Sequence, residues 1–121
     1  MIYTASYFEP HNHHGQLVSI SRSTPKGFQL DGKLACFMPS AHLLAGWKKG
    51  IPEGRYIDIY REEIRANLPI IRVWMKALNP DEDMTLLCWE KAGDFCHRNL
   101  VAKMIEVHRP DCFGGCDVKV N

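Results

Sequence analysis

Apolar positions along the chain fall into two kinds of pattern, short runs bounded by turn-forming or acidic residues and longer stretches with three- and four-residue spacing. Residues 2–7, rich in β-branched and aromatic side chains, predict a first strand. Residues 17–21 alternate apolar and polar and predict a second. Residues 85–89, between Asp81-Glu82-Asp83 and Gly93, form a short apolar run suited to a strand buried on both faces of a mainly parallel sheet.

The longer spacing predicts helices. Residues 41–49 form one, capped by Ser40, stopped by Gly50 and apolar along Leu43, Leu44 and Trp47. Pro52 opens the longest, where Ile57, Tyr60, Ile64, Leu68, Ile71, Met75 and Leu78 recur on one face, with Tyr60 and Trp74 read as core. Pro69 lacks a backbone donor, so this stretch breaks or kinks near Asn67. A last helix follows Cys96, with Leu100, Val101, Met104, Ile105 and His108 on one side and Asp94 as its expected N-cap. Residues 29–37 read as irregular, and 111–116 as a glycine turn leading to a short strand at 117–120.

These elements predict an α/β fold, a single small domain over residues 1–121 with a mainly parallel sheet flanked by helices. Only about ten residues separate the first two strands, which is short for a parallel crossover. An antiparallel hairpin and an unusually tight crossover both stay open. The segment from Ser21 to Thr85 is ample for a crossover between parallel strands.

A net charge of +1 gives no electrostatic case for a dedicated duplex-DNA or membrane-surface binder. Nucleic acid as a partner is thus not supported by charge, and no run is long enough to span a bilayer. The amino-terminal residues lack the pattern of a secretory signal, so a cytoplasmic protein is expected. Its five cysteines, odd in number and irregularly spaced, then read as reduced thiols.

The chemistry concentrates where the strand at 85–89 gives way to a helix beginning at Cys96-His97-Arg98. That order places the amino end of the helix at the carboxyl edge of the sheet, where open α/β proteins bind ligands. A cation at a helix amino end costs about 0.3–1 kcal/mol, so a negative partner is expected beside Arg98. Glu90 or Asp94 can supply it; so can an anionic ligand clamped by Arg98. The same end lowers a thiol pKa, which makes Cys96 a candidate nucleophile and His97 a candidate proton donor or acceptor. Cys88, in mid-strand, reads as core or support.

After the second strand, Arg22, Ser23, Thr24, Pro25, Lys26 and Gly27 form a loop suited to phosphate or carboxylate contacts. If that strand runs parallel to residues 85–89, Arg22 and Lys26 reach the same edge as Cys96, His97 and Arg98. Histidines at 11, 13 and 14 and cysteines at 112 and 116 invite a metal reading, but neither set has a recognised ligand spacing. Cys96 and His97 are adjacent, an awkward pair for one ion. No metal and no cofactor is assigned.

The stretch Leu86-Leu87-Cys88-Trp89-Glu90, followed by a loop and Cys96-His97-Arg98, resembles the signature of the family called domain of unknown function 488. Residues Ser19 to Phe28, a strand ending in Arg22 before a proline-containing loop, are similar to that family's other signature. This chain has Ser19 and Ser21 where the family commonly has an acid before that arginine, so no role of that acid carries over. The resemblance implies the fold and the site, and no particular reaction.

The function expected is that of a small enzyme taking a small anionic ligand, a nucleotide or phosphorylated metabolite, at the Cys-His-Arg helix end. The alternatives are a nucleotide or nucleic-acid binding module without turnover, and a metal-binding protein.

Overall fold

The protein is described by a computed structural model covering residues 1–91 and 93–116, the side chain of Cys116 excepted. Among these residues run five strands, β1 (Ile2–Ser6), β2 (Gln16–Ser19), β3 (Gly32–Lys33), β4 (Met84–Cys88) and β5 (Phe113–Cys116). Four α-helices accompany them, α1 (Ala41–Lys48), α2 (Glu53–Ala66), α3 (Leu68–Lys76) and α4 (His97–His108). The strands form one sheet in the order β3-β2-β4-β1-β5, with every described pair parallel.

β4 takes the centre because its side chains are apolar or small on both faces, and four of its five residues are buried. It lies between β1 and β2, pairing Ala5 with Leu87 on one side and Ser19 with Leu87 on the other. That insertion settles how the first two strands run. They are parallel, joined by the nine residues between Ser6 and Gln16 through a 3-10 turn at Pro10–Asn12. Gly15 makes the connection possible, since its φ of 65° and its closeness to the Asp83 backbone exclude a side chain.

The two faces of the sheet are covered unequally. Ile2, Val18, Ile20 and Leu86 pack into the larger core with Tyr56, Tyr60 and Ile64 of α2, Ile71 and Met75 of α3, and Val101 and Ile105 of α4. Ala5, Tyr7 and Leu87 form a smaller cluster against Leu17, Phe28 and Leu30. On that side the Tyr7 hydroxyl lies 2.6 Å from both Ser19 Oγ and Ser21 Oγ.

Local signals place most helix boundaries. Ser40 Oγ accepts from the Leu43 N–H at 3.0 Å and caps α1. The break between α2 and α3 falls at Asn67, before Pro69. Two expectations differ and a third is not reached. Residues 29–37 contain β3 and a 3-10 turn at Ala35–Phe37. The glycine segment at 113–116 is itself β5, because the Tyr3 ring packs where a side chain on Gly114 would stand, 2.6 Å from a Cβ there. The strand expected at 117–120 lies outside the described residues. Among the described residues no helix is long and apolar enough to cross a membrane.

Candidate functional site

β2 leads to β3 on one side of the sheet, while β4 leads through α4 to β5 on the other. The carboxyl ends of these two neighbours therefore diverge, and such a divergence leaves a crevice in open parallel sheets. A hollow of about 60 Å³ lies there, lined by Ser21, Arg22 and Ser23 after β2, by Cys88, Trp89 and Glu90 at the end of β4, and by Cys96 and His97 at the start of α4. The Trp89 indole N–H donates to the Ser23 carbonyl at 2.9 Å and ties the two loops together.

Cys96, extended at φ −152° and ψ 149°, is the residue before the first turn of α4, which begins at His97. Asp94, the expected cap, is exposed, and the N-cap position itself makes no side-chain hydrogen bond. His97 is 5% exposed and Arg98 fully buried.

The hydrogen bonding of His97 fixes its tautomer. Nε2 lies 2.7 Å from the Ile20 carbonyl, an oxygen that only accepts, so Nε2 carries the proton. Nδ1 is then an acceptor, 3.6 Å from Cys96 Sγ. Burial, with Arg98 adding to it and the Ile20 bond opposing, lowers the imidazole pKa from 6.5 to about 4. The ring is neutral at pH 7, packed edge-on against Tyr60 with centroids 5.5 Å apart.

Arg98 does not line the hollow. Its Nη1 donates to Cys88 Sγ at 3.0 Å, so the guanidinium supports a sulfur at the end of β4. Arg98 is the second residue of α4, and its guanidinium reaches the end of β4 at Cys88. Glu90 Oε2 lies 3.7 Å from the same sulfur. The expectation of five reduced thiols is corrected, because Cys88 Sγ and Cys96 Sγ are in bonding contact, across a Cα–Cα distance of 7.7 Å. Cys36 and Cys112 are free and buried.

Of the residues singled out in the sequence, Arg22, Cys88, Glu90, Cys96 and His97 meet at one hollow. Lys26 is exposed and does not line it. The histidine loop is used locally: His13 Nε2 bonds the Ser6 carbonyl at 2.8 Å, and His14 stacks on Tyr3. Cys112 accepts from Arg109 at 3.1 Å, and burial raises its pKa. Among the described residues, the three potential metal ligands that do gather are Cys88, Cys96 and His97, their ligand atoms all within 4.8 Å. Adjacency is no obstacle to this, because Cys96 is extended where His97 is helical.

The sequence reading missed the aromatic wall. Trp47, Tyr56 and Phe95 also line the hollow, with Trp47 5.2 Å from both other rings. Burial, and then the charges of Glu90 and Glu63, raise the Tyr56 pKa, so its hydroxyl keeps its proton at neutral pH. Tyr56 stands on the apolar face of α2, and that spacing marks a core residue, not one facing a cavity.

No curated protein and no solved structure matches the chain significantly. The paired cysteines, His97 and Arg98 form the motif on which the sequence resembled one family, and the match to that family extends over nearly the whole fold. The chain belongs to the domain of unknown function 488 family, its residues 2–109 matching the family model DUF488-N3a, described as the active DUF488-N3 subclade.

Proposed function

We propose that this protein is a small cytoplasmic enzyme in which Cys96, in the reduced form of the site, attacks an anionic substrate while His97 moves the proton. The observation that carries the reading is the Nδ1 lone pair facing Cys96 Sγ, its direction set by the bond from Nε2 to Ile20. An imidazole titrating at about 4 is too weak a base to take the proton outright from a thiol. It accepts that proton as the new bond to sulfur forms, and can return it to the leaving group.

Arg22 at the rim and the amino end of α4 supply the positive potential for an anion. Arg98 acts as a positioning residue through Cys88. A hollow of about 60 Å³ has room for a few non-hydrogen atoms. A nucleotide or phosphorylated metabolite would therefore insert only its reacting group and lay the rest over Arg22 and Trp89, which is 39% exposed.

Alkylation of the reduced protein with iodoacetamide, read by mass spectrometry, tests this. Cys96 is expected to react faster than Cys36, Cys88, Cys112 and Cys116, and inorganic phosphate to slow it. Uniform reactivity across the thiols would refute the nucleophile. Phosphate stabilisation that survives Cys96→Ser but is lost in Arg22→Ala, without that selective reactivity, would point to a binding module without turnover.

A further inference from the structure

We propose that Cys88 Sγ, Cys96 Sγ and His97 Nδ1 form a three-ligand site for a soft divalent cation, zinc first, with its fourth position facing the hollow. This goes beyond the thiol reading above and competes with it for one atom: Nδ1 either accepts the thiol proton or gives its lone pair to the metal.

Three independent features support the site. The ligand atoms converge, all within 4.8 Å of one another. Two thiolates on zinc, each about 2.3 Å from the metal at a tetrahedral angle, stand roughly 3.8 Å apart. In the reduced protein the two sulfurs part from bonding contact to reach that separation.

The surroundings also have the form of a metal site's outer shell. A ligating histidine ordinarily gives its other ring N–H to a carbonyl or carboxylate, and His97 Nε2 does so to Ile20 at 2.7 Å. A metal thiolate is steadied by donors, and Arg98 Nη1 donates to Cys88 Sγ at 3.0 Å. The donor set favours the metal class too, since thiolate and imidazole select zinc over magnesium or calcium.

The open position gives the site its character. Structural zinc is closed by four protein ligands, whereas three ligands and an accessible fourth place describe sites that bind water or substrate. Here the hollow, with Arg22, Glu90 and Tyr56 on its walls, adjoins both thiols and the imidazole. Zinc entry releases the two thiol protons to solvent and leaves the thiolate pair charge-balanced by the dication.

The test is cobalt(II) and zinc(II) binding by the whole chain, reduced with a phosphine so that no competing thiol is present. About one equivalent of zinc should survive desalting, and cobalt should give a thiolate charge-transfer band with the intensity of tetrahedral coordination. Both are expected to disappear in Cys88→Ser and Cys96→Ser and to persist in Cys36→Ser and Cys112→Ser. A control without substitution guards against misfolded variants: wild type oxidised with diamide, which takes two electrons and two protons from the dithiol, should bind neither ion. Less than about a tenth of an equivalent of zinc in the reduced chain, or a cobalt band unchanged in Cys96→Ser or in the oxidised chain, would overturn the site. Alkylation of Cys96 in the chelated protein is read separately, so failure of the metal site and failure of the thiol reading give different results.

Discussion

Acid should destabilise this protein through His97 before it does so through its carboxylates. The unfolded chain takes up a proton at this residue near pH 6.5, whereas the folded imidazole, buried under Tyr60 and held as a donor to Ile20, does so only near 4. Between those values the unfolded state holds more protons, so stability falls as the pH falls. At pH 4.5 the linked loss amounts to about 2.5 kcal/mol relative to pH 7, and it approaches about 3 kcal/mol below pH 4. Asp111 is held down to about 2 by its hydrogen bond from Arg109, so its contribution is lost mainly below 3.8, outside this window. Urea denaturation of the reduced, chelated protein at pH 7 and 4.5 should show a fall in midpoint of roughly 1–2.5 M. His97→Gln, whose amide can still donate to Ile20, should lose about 2.5 kcal/mol less over the same interval. Parallel losses in the two proteins would show that His97 is not buried as a neutral base, and the proton-transfer role would fall with it.

Two further substitutions probe the frame that holds the site. Gly15→Ala should destabilise by at least about 2 kcal/mol, since an L-residue disfavours this left-handed backbone and the new methyl would collide with the Asp83 carbonyl. A loss under about 0.5 kcal/mol by denaturation would remove that account of the short crossover. Ser40→Ala should cost about 1–2 kcal/mol, because the hydroxyl caps α1 at Leu43 and donates to Glu63 Oε2 at 2.5 Å. Unchanged thermal stability would mean that neither bond contributes.

Much of the architecture was legible in the amino-acid order wherever a local rule decides the outcome. Ser40 caps α1 with its own hydroxyl, Pro69 ends α2 by removing a donor, and the apolar run of β4 suits a strand covered on both faces. The gathering of residues around Cys96 at one hollow was legible for the same reason, since a strand, a loop and a helix in that order bring polar side chains to a sheet edge. Where long-range contact decides, the sequence carried no signal. Parallel pairing of the first two strands depends on β4 lying between them, and Gly114 belongs to a strand because Tyr3 packs upon it. Asp94 looked like a cap, but α4 begins three residues later, at His97. The direction of Arg98 toward Cys88 and the meeting of the two sulfurs likewise follow from how α4 seats under β4. The sequence by itself determined which residue types stand at the end of β4 and the start of α4, because short-range sterics and capping govern that order. Only the tertiary structure decided which nitrogen of His97 holds the proton, because the Ile20 carbonyl that selects it comes from the end of a strand 77 residues away in the chain.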